Sequence, residues 1–437
     1  MAITGRGSQE IAGSVEQAII AGELEAGAAL PSIRDLAGEL GVNPNTVAAA
    51  YRLLRDRGLV ETGGRRGTRV RTRPAGLPRD IETGAVPGNV RDAASGNPDP
   101  RLLPDLAAAL AAVAARRAGR HPLYGDPPIL PEMRAEAQAV VEADGVPCPA
   151  LTLTSGALDG IERVLRSALR PGDTVALEDP GWPSEYDLVA MLGLKRTPMR
   201  VDEEGPLPGD LDAALSAGAR AVIVTSRAQN PTGAAVSAER AGRLRALLAG
   251  YPRVLTVEDD HGFGFVEQPF EGVGGATERW VLVRSAAKGY GPDLRLAMVT
   301  GDTATVDRVR ALQQSGHGWV SQVLQEAFVE LRRSGAVSPE RAGRSYAERR
   351  SALLAELERH GLRGRGRSGV NVWVEVPDEA GAVAGLLARG WSCAPGGRFR
   401  IDSRPGIRVT ISALDVQDMP ILAADIAAAV RSGGPAI

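Results

Sequence analysis

Of the 51 basic residues in this chain only two are lysines, Lys195 and Lys288. Arginine does every other basic job, so a retained lysine suggests that an amine was needed. An ε-amine can condense with a carbonyl; a guanidinium is never a free amine. Lys288 lies in Val281-Leu-Val-Arg-Ser-Ala-Ala-Lys-Gly-Tyr-Gly-Pro-Asp-Leu-Arg295, an apolar run, a serine, the lysine, a Gly/Pro turn and an arginine. Ser285 and Arg295 supply donors for a phosphate. Upstream, Asn230 opens Asn-Pro-Thr-Gly, and Asp259 stands in Val257-Glu-Asp-Asp-His261. Asn230, Asp259 and Lys288 are evenly spaced, 29 residues apart, which leaves room for a crossover and a strand each time. A carboxylate at a strand's C-terminal end can hold a pyridinium N–H and keep a ring an electron sink. Trp182, in Glu178-Asp-Pro-Gly-Trp-Pro183, puts an aromatic face on a rigid turn. Ser155-Gly-Ala157 leads a strand into a helix whose first N–H groups can hold a phosphate. Taken singly, each is an ordinary loop composition. As an ordered set around Lys288 they read as an anchor for pyridoxal phosphate (PLP). Lys195, in Gly193-Leu-Lys-Arg196, reads as a surface lysine.

The elements that must position these groups alternate. Short β-rich runs at Thr174–Leu177, Ala221–Thr225, Val254–Val257 and Trp280–Val283 are separated by helical stretches, the pattern of a parallel α/β sheet covered by helices. The tail changes character. A long charged helix over about 338–360, an apolar run at Val370–Val376, a helix, a strand at Ile407–Ile411 and a final helix predict a smaller lobe, about 338–437.

The first seventy residues follow another pattern. Ile11, Val15, Ala18 and Ile19 recur at helical spacing before Gly22. Ser32 with Asp35 resembles a capping box, followed by a stripe of Ile33, Leu36, Ala37 and Leu40 that Gly41 ends. Asn43 is a good N-cap for a third helix whose Val47, Ala50, Tyr51 and Leu54 face inward until Gly58. Two short helices joined by so tight a glycine turn predict a helix-turn-helix. Asn45, Ala49 and Arg52 mark its outward face, with Thr46 beside it, groups able to approach base edges. Leu59–Thr62 and Gly63–Val70 read as a hairpin around a Gly/Arg tip. Residues 52–73 hold eight arginines against two acids, a surplus suited to phosphates. Residues 72–89 lack periodicity and read as a linker.

Composition narrows the function classes. A net charge of −2 over 437 residues confines any nucleic-acid site to a local patch. Two distant cysteines and four histidines argue against a metal site. No apolar stretch is long enough to span a membrane, and the first eight residues lack a signal core, so a cytoplasmic protein is expected.

Gly27–Tyr51 resembles the GntR-type winged helix, with the likeness running from about residue 8 to 71. It implies DNA contacts at Arg34, Asn45, Thr46, Arg52, Arg65 and Arg66; Pro44 replaces an arginine common after the cap. Residues 90–432 resemble the fold type I PLP enzymes, the aspartate-aminotransferase superfamily. That likeness implies that Lys288 bonds the cofactor and Asp259 pairs with the pyridine nitrogen. It gives Asn230 the ring 3-oxygen and Trp182 the ring face. Ser285, Arg295 and the Gly156/Ala157 backbone would take the phosphate, and Tyr124, in Tyr-Gly-Asp-Pro127, would reach the partner subunit's phosphate. Arg408 would clamp a substrate carboxylate, with Gly96 and Asn97 lining the substrate side. His261 stands where relatives usually carry tyrosine; an imidazole can donate to the 3-oxygen but differs from a phenol in length and charge.

The combination is similar to the MocR/GabR regulators. It implies an N-terminal α+β winged helix-turn-helix (1–71), a linker (72–89) and a C-terminal α/β fold type I PLP-dependent transferase fold with large and small lobes (90–437). The function expected is a PLP-dependent transcriptional regulator. It would bind double-stranded operator DNA as a head-to-tail homodimer and sense an amino acid or related amine by aldimine exchange at Lys288. The alternative is a working aminotransferase with an accessory DNA-binding domain.

Overall fold

The computed structural model describes residues 3–20, 23–25, 27–56, 59–62, 67–70, 90–119 and 121–432. The expected helix stops at Gly22 and Gly58, the hairpin tip with Arg65 and Arg66, and the linker at 72–89 lie outside them. The chain divides into two compact units. One takes in Met1–Ile81 with Arg170–Asp173 and Ser184–Arg196; the other takes in Glu82–Leu169, Thr174–Pro183 and Thr197–Ile437. No helix among the described residues is long and apolar enough to cross a membrane.

In the N-terminal residues three helices, Ser8–Ile20, Ile33–Leu40 and Pro44–Asp56, precede the antiparallel strands Val60–Thr62 and Thr68–Val70. Ile11, Val15, Leu36, Val47, Leu54, Val60 and Val70 close one apolar core. The Ser32 side chain accepts from the Asp35 N–H, and Gly41 ends the second helix in the left-handed region at φ 64°. That conformation costs glycine little, so only Gly41, Val42 and Asn43 separate the second helix from the third. The Asn43 Oδ1 caps it, accepting from the Asn45 N–H at 2.8 Å. Ile33, expected in the buried stripe, is 37% exposed: in the first turn no preceding turn covers it.

The large sheet runs in the order Ala150–Thr154, Ala297–Gly301, Arg279–Ser285, Leu255–Asp260, Ala221–Thr225, Thr174–Asp179, Lys195–Asp202, Gly205–Pro206. The pairs from Arg279–Ser285 through Leu255–Asp260 and Ala221–Thr225 to Thr174–Asp179 are parallel. Ala297–Gly301 is antiparallel to both of its neighbours, so Ala150–Thr154 points the same way as the parallel set. The sheet is therefore mixed rather than wholly parallel. The antiparallel strand went unread because only the four-residue helix Ala287–Tyr290 and the short turn Pro292–Leu294 separate it from Arg279–Ser285. Five strands thus end on one edge, and their ends and the loops beyond carry most of the candidate site residues.

The smaller sheet orders Gly364–Arg365, Asn371–Glu375, Gly406–Thr410, Trp391–Pro395 and Arg91–Ala93. Helices Pro339–Arg359, Glu379–Leu387 and Met419–Ser432 supply much of its packing, burying Leu353, Leu386, Leu422 and Ile426 against Val372, Trp391 and Ile407. The strand Arg91–Ala93 is an addition to the lobe expected at 338–437. It pairs in parallel with Trp391–Cys393, and the Arg91 guanidinium lies 3.4 Å from the Trp391 ring centroid.

Two carboxyl groups buried near the ends of the parallel strands carry an electrostatic cost. Burial pushes the Glu178 carboxyl up to about 7, with the neighbouring Asp259 adding to the rise against the Thr225 N–H it accepts at 2.9 Å. Glu258 is raised by the same cause. For Glu178 the linkage has a definite sign. Between the usual value of 4.5 and about 7 the unfolded chain has ionised while the folded chain keeps its proton, so stability falls as pH rises through that window. Glu178→Gln keeps an acceptor for Thr225 and cannot ionise. Its unfolding free energy relative to the parent, measured in urea at successive pH values, should therefore rise by up to about 3 kcal/mol across the window.

Candidate functional site

The ends of those strands converge on a cleft of about 280 Å³. It is lined by Gly96, Asn97, Pro98, Ala157, Leu158, Trp182, Asn230, Asp259, His261, Ser285, Ala287, Lys288, Pro292 and Arg295. Ten residues expected to form the site thus share one cavity; Pro98, Leu158, Ala287 and Pro292 line it without having been singled out. Gly156 lies at its edge. Arg408 and Tyr124 are placed differently.

The floor of the cleft rests on a buried ion network one residue past Asp259. Asp260 accepts from Arg227 twice, Nε to Oδ1 at 2.9 Å and Nη2 to Oδ2 at 3.0 Å, and from Arg284 Nε at 2.8 Å. Arg284 also reaches Asp144 at 2.7 Å and the Val140 carbonyl at 2.9 Å. Burial alone would raise the Asp260 carboxyl, but the two guanidiniums hold it at about 2.

Asp259 itself is 1% exposed. Its Oδ2 lies 2.9 Å from His261 Nδ1. Its Oδ1 is buried and meets no hydrogen-bond partner among the described residues. A buried acceptor left open costs free energy unless a ligand satisfies it, so this oxygen fits a ring N–H supplied from the cleft. His261 Nε2 lies 2.6 Å from the Ala228 carbonyl. Both imidazole nitrogens are thereby engaged, and the donor to a ring 3-oxygen expected from His261 is not available in this arrangement. Asn230 can still serve: its Oδ1 accepts from Arg408 Nη1 at 2.9 Å, which turns its amide N–H groups elsewhere.

The Ser155–Ala157 turn is shaped as a cradle. Gly156 has φ 97°, and a Cβ there would lie 2.6 Å from Arg295 Nη2. Arg295 is exposed and donates to the Ser155 carbonyl at 2.8 Å, holding its guanidinium against the start of helix Ala157–Ala168. Ser285 is buried and accepts from the Ala287 N–H at 3.3 Å. An open acceptor for a ring nitrogen, a cationic glycine cradle and an amine in one cleft suit PLP.

Arg408 is only 6% exposed. It lies behind Gly96, whose Cβ would sit 3.2 Å from Nη2, and donates to the Ala94 carbonyl and to Asn230. Phe399 faces it, with 4.7 Å to the ring centroid. Tyr124 is 95% exposed, edge-on to Trp319 at 5.8 Å between centroids. On the third N-terminal helix Asn45 and Arg52 are exposed and Thr46 half-buried; Arg34 is exposed on the second helix.

Two family models match the chain: "Bacterial regulatory proteins, gntR family" over residues 8–70 and "Aminotransferase class I and II" over residues 91–426. The chain is 40% identical over 435 residues to the vitamin B6 salvage pathway transcriptional repressor PtsJ of Salmonella typhimurium, covering 97% of this chain and 98% of that protein. It is 27% identical to the probable rhizopine catabolism regulatory protein MocR of Rhizobium meliloti, over 78% of this chain and 75% of that one. Among solved structures, the α-aminoadipate aminotransferase LysN of Thermus thermophilus superposes with a TM-score of 0.68 at 22% identity, over 81% of this chain and 96% of that one. The kynurenine aminotransferase of Pyrococcus horikoshii gives 0.70 at 20% identity, over 82% and 93%. At such identities the likeness shows the fold alone. The family rests on the two matched domains and the 40% relative: the chain belongs to the MocR-type transcriptional regulators, in which a GntR winged helix is joined to an aminotransferase class I and II domain.

Proposed function

We propose that this regulator holds PLP in the cleft at Lys288 and changes its affinity for operator DNA when an amino compound, in the first instance an amino acid, enters that cleft. The observation that carries the reading is the buried, unpartnered Asp259 Oδ1 in the same cavity as Lys288. PLP, when bound, supplies an aldehyde that condenses with amines and a ring that takes up electron density.

The chain's own residues do the rest. Lys288 would present the amine that tethers the cofactor. Asp259 Oδ1 would accept the ring N–H, and the Asn230 amide, held by Arg408, would donate to the 3-oxygen. Trp182 would cover the ring face, while Ser285, Arg295 and the Gly156/Ala157 backbone would hold the phosphate. Tyr124, exposed in the single chain, suits a role across a head-to-tail homodimer, where it would reach the partner's phosphate. Arg408 would give an entering carboxylate its planar fork, beside Gly96 and Asn97. The winged helix (1–71) would read the operator, two half-sites following from dimer symmetry, and the linker (72–89) would join it to the remainder (90–437).

A second reading is favoured by the name of the 40% identical relative, a repressor of a vitamin B6 salvage pathway: arrival of PLP itself, rather than of an amine, is the signal. A working aminotransferase remains the rival in a different class.

Three outcomes are expected. Borohydride treatment of the PLP-loaded protein should fix the cofactor onto Lys288, and peptide mapping should find it there; label on Lys195 would refute the assignment. For DNA, Arg65→Ala and Arg66→Ala should each reduce the salt slope of binding by about one, with little change in sequence preference. Asn45→Ala or Arg52→Ala should relax base preference, at about 1–3 kcal/mol for a good bidentate contact. If none of the four changes alters binding in a titration series, residues 1–71 are not the reading head. For coupling, operator titrations with PLP alone and with PLP plus amino acids should differ by about 5–150-fold on the parent chain, and the difference due to the amine should vanish in Lys288→Ala and Arg408→Ala. A response to PLP alone supports the second reading. Rapid turnover of amino and keto acid pairs with no change in operator affinity establishes the enzyme reading.

A further inference from the structure

We propose that His261 is a positioning residue: it locks Asp259 so that Oδ1 meets the cofactor's ring nitrogen, and it leaves the ring oxygen to Asn230. The inference rests on the reading that the cleft holds PLP.

The lock begins at Ala228. This residue has φ 57°, one of two non-glycine residues in the left-handed region among those described. For alanine that conformation is strained and persists only where neighbours impose it. The neighbours are anchored on both sides. Arg227 is fixed by its two bonds to Asp260. Gln229 donates from Nε2 to the Pro180 carbonyl at 2.8 Å, and its Oε1 accepts from the Thr232 N–H at 2.9 Å. Opposite, Gly369 leaves room; a Cβ there would lie 2.5 Å from Ala228 Cβ. The result is a carbonyl aimed at His261 Nε2 at 2.6 Å.

That contact determines the state of the imidazole. A carbonyl oxygen only accepts, so Nε2 carries a proton. The other nitrogen lies 2.9 Å from Asp259 Oδ2, a separation that requires one proton on that axis as well. The ring atoms left to face the cleft are carbon, so His261 lines the cavity without offering it a donor. The carboxylate, held through Oδ2, cannot turn, and its open Oδ1 is presented to whatever ring nitrogen arrives. A tyrosine at this position would put a hydroxyl donor here; this chain uses the position to brace the acid.

The first measurement needs no cofactor. In the full-length chain, with ¹⁵N-labelled histidine and PLP removed, His261 should show protonated Nε2. Asp259→Asn should convert Nδ1 to an unprotonated acceptor while Nε2 stays protonated. A spectrum indifferent to Asp259→Asn, or an unprotonated Nε2, overturns the lock. The second measurement is PLP affinity, followed by its visible absorption. His261→Phe should weaken binding roughly 10- to 100-fold, the worth of a hydrogen bond to a charged group, and should have no further effect in an Asp259→Ala background. Additive losses would mean that His261 acts on the cofactor directly and would overturn the proposal. A parent chain that binds no PLP would sink the cofactor reading and with it the role toward the ring nitrogen. The histidine spectrum would still decide the lock.

Discussion

The candidate site depends on a single buried carboxylate, Asp260, held between Arg227 and Arg284. Each partner belongs to a different part of the cleft. Arg227 follows the strand Ala221–Thr225 and starts the loop that reaches Asn230. Asp260 ends the strand of Asp259. Arg284 lies four residues before Lys288 and also ties in the helix Pro131–Glu142 through the Val140 carbonyl. One network therefore sets the spacing of the three groups most directly implicated in cofactor chemistry. Asp260 and Arg284 are fully buried, and removing one partner of such a set leaves an uncompensated charge, which typically costs about 3–5 kcal/mol. Aromatic faces complete the enclosure: Phe270 lies under both guanidiniums at 4.9 and 5.5 Å, and Phe263 under Arg284 at 5.5 Å.

Much of this was legible in the sequence, for a physical reason. Parallel strands deliver their loops to one edge, so residues that follow β-rich runs in order come together whatever the details of packing. Trp182, Asn230, Asp259 and Lys288 each stand just past such a run, and all four line one cleft. The helix-turn-helix was legible because its signals are local: Ser32, Gly41 and Asn43 act within three residues of where they stand.

What escaped reading has the opposite character. The strand Arg91–Ala93 is three residues long, too short for a period, and its partner lies 300 residues away in sequence. Asn230 in the cleft and Arg408 behind it were assigned separate tasks, yet Arg408 Nη1 holds Asn230 Oδ1 across the two lobes. The tilt of Ala228 has no sequence signal, because alanine has no preference for that conformation; it is imposed by Arg227 and Gln229. For the same reason His261 could be read as a substitute phenol, although its nitrogens are turned away from the cleft.

The strand Arg91–Ala93 also has a mechanical meaning. It is the first strand described after residue 70, and it is stitched by register to Trp391–Cys393 and by the Arg91–Asp418 ion pair to the start of the last helix. Residues 91–93 are therefore joined to the small lobe, not to the large sheet that carries the lysine. The small sheet thus draws one edge from residues some 300 positions before its other strands, so its packing depends on a stretch of chain that precedes the whole large sheet.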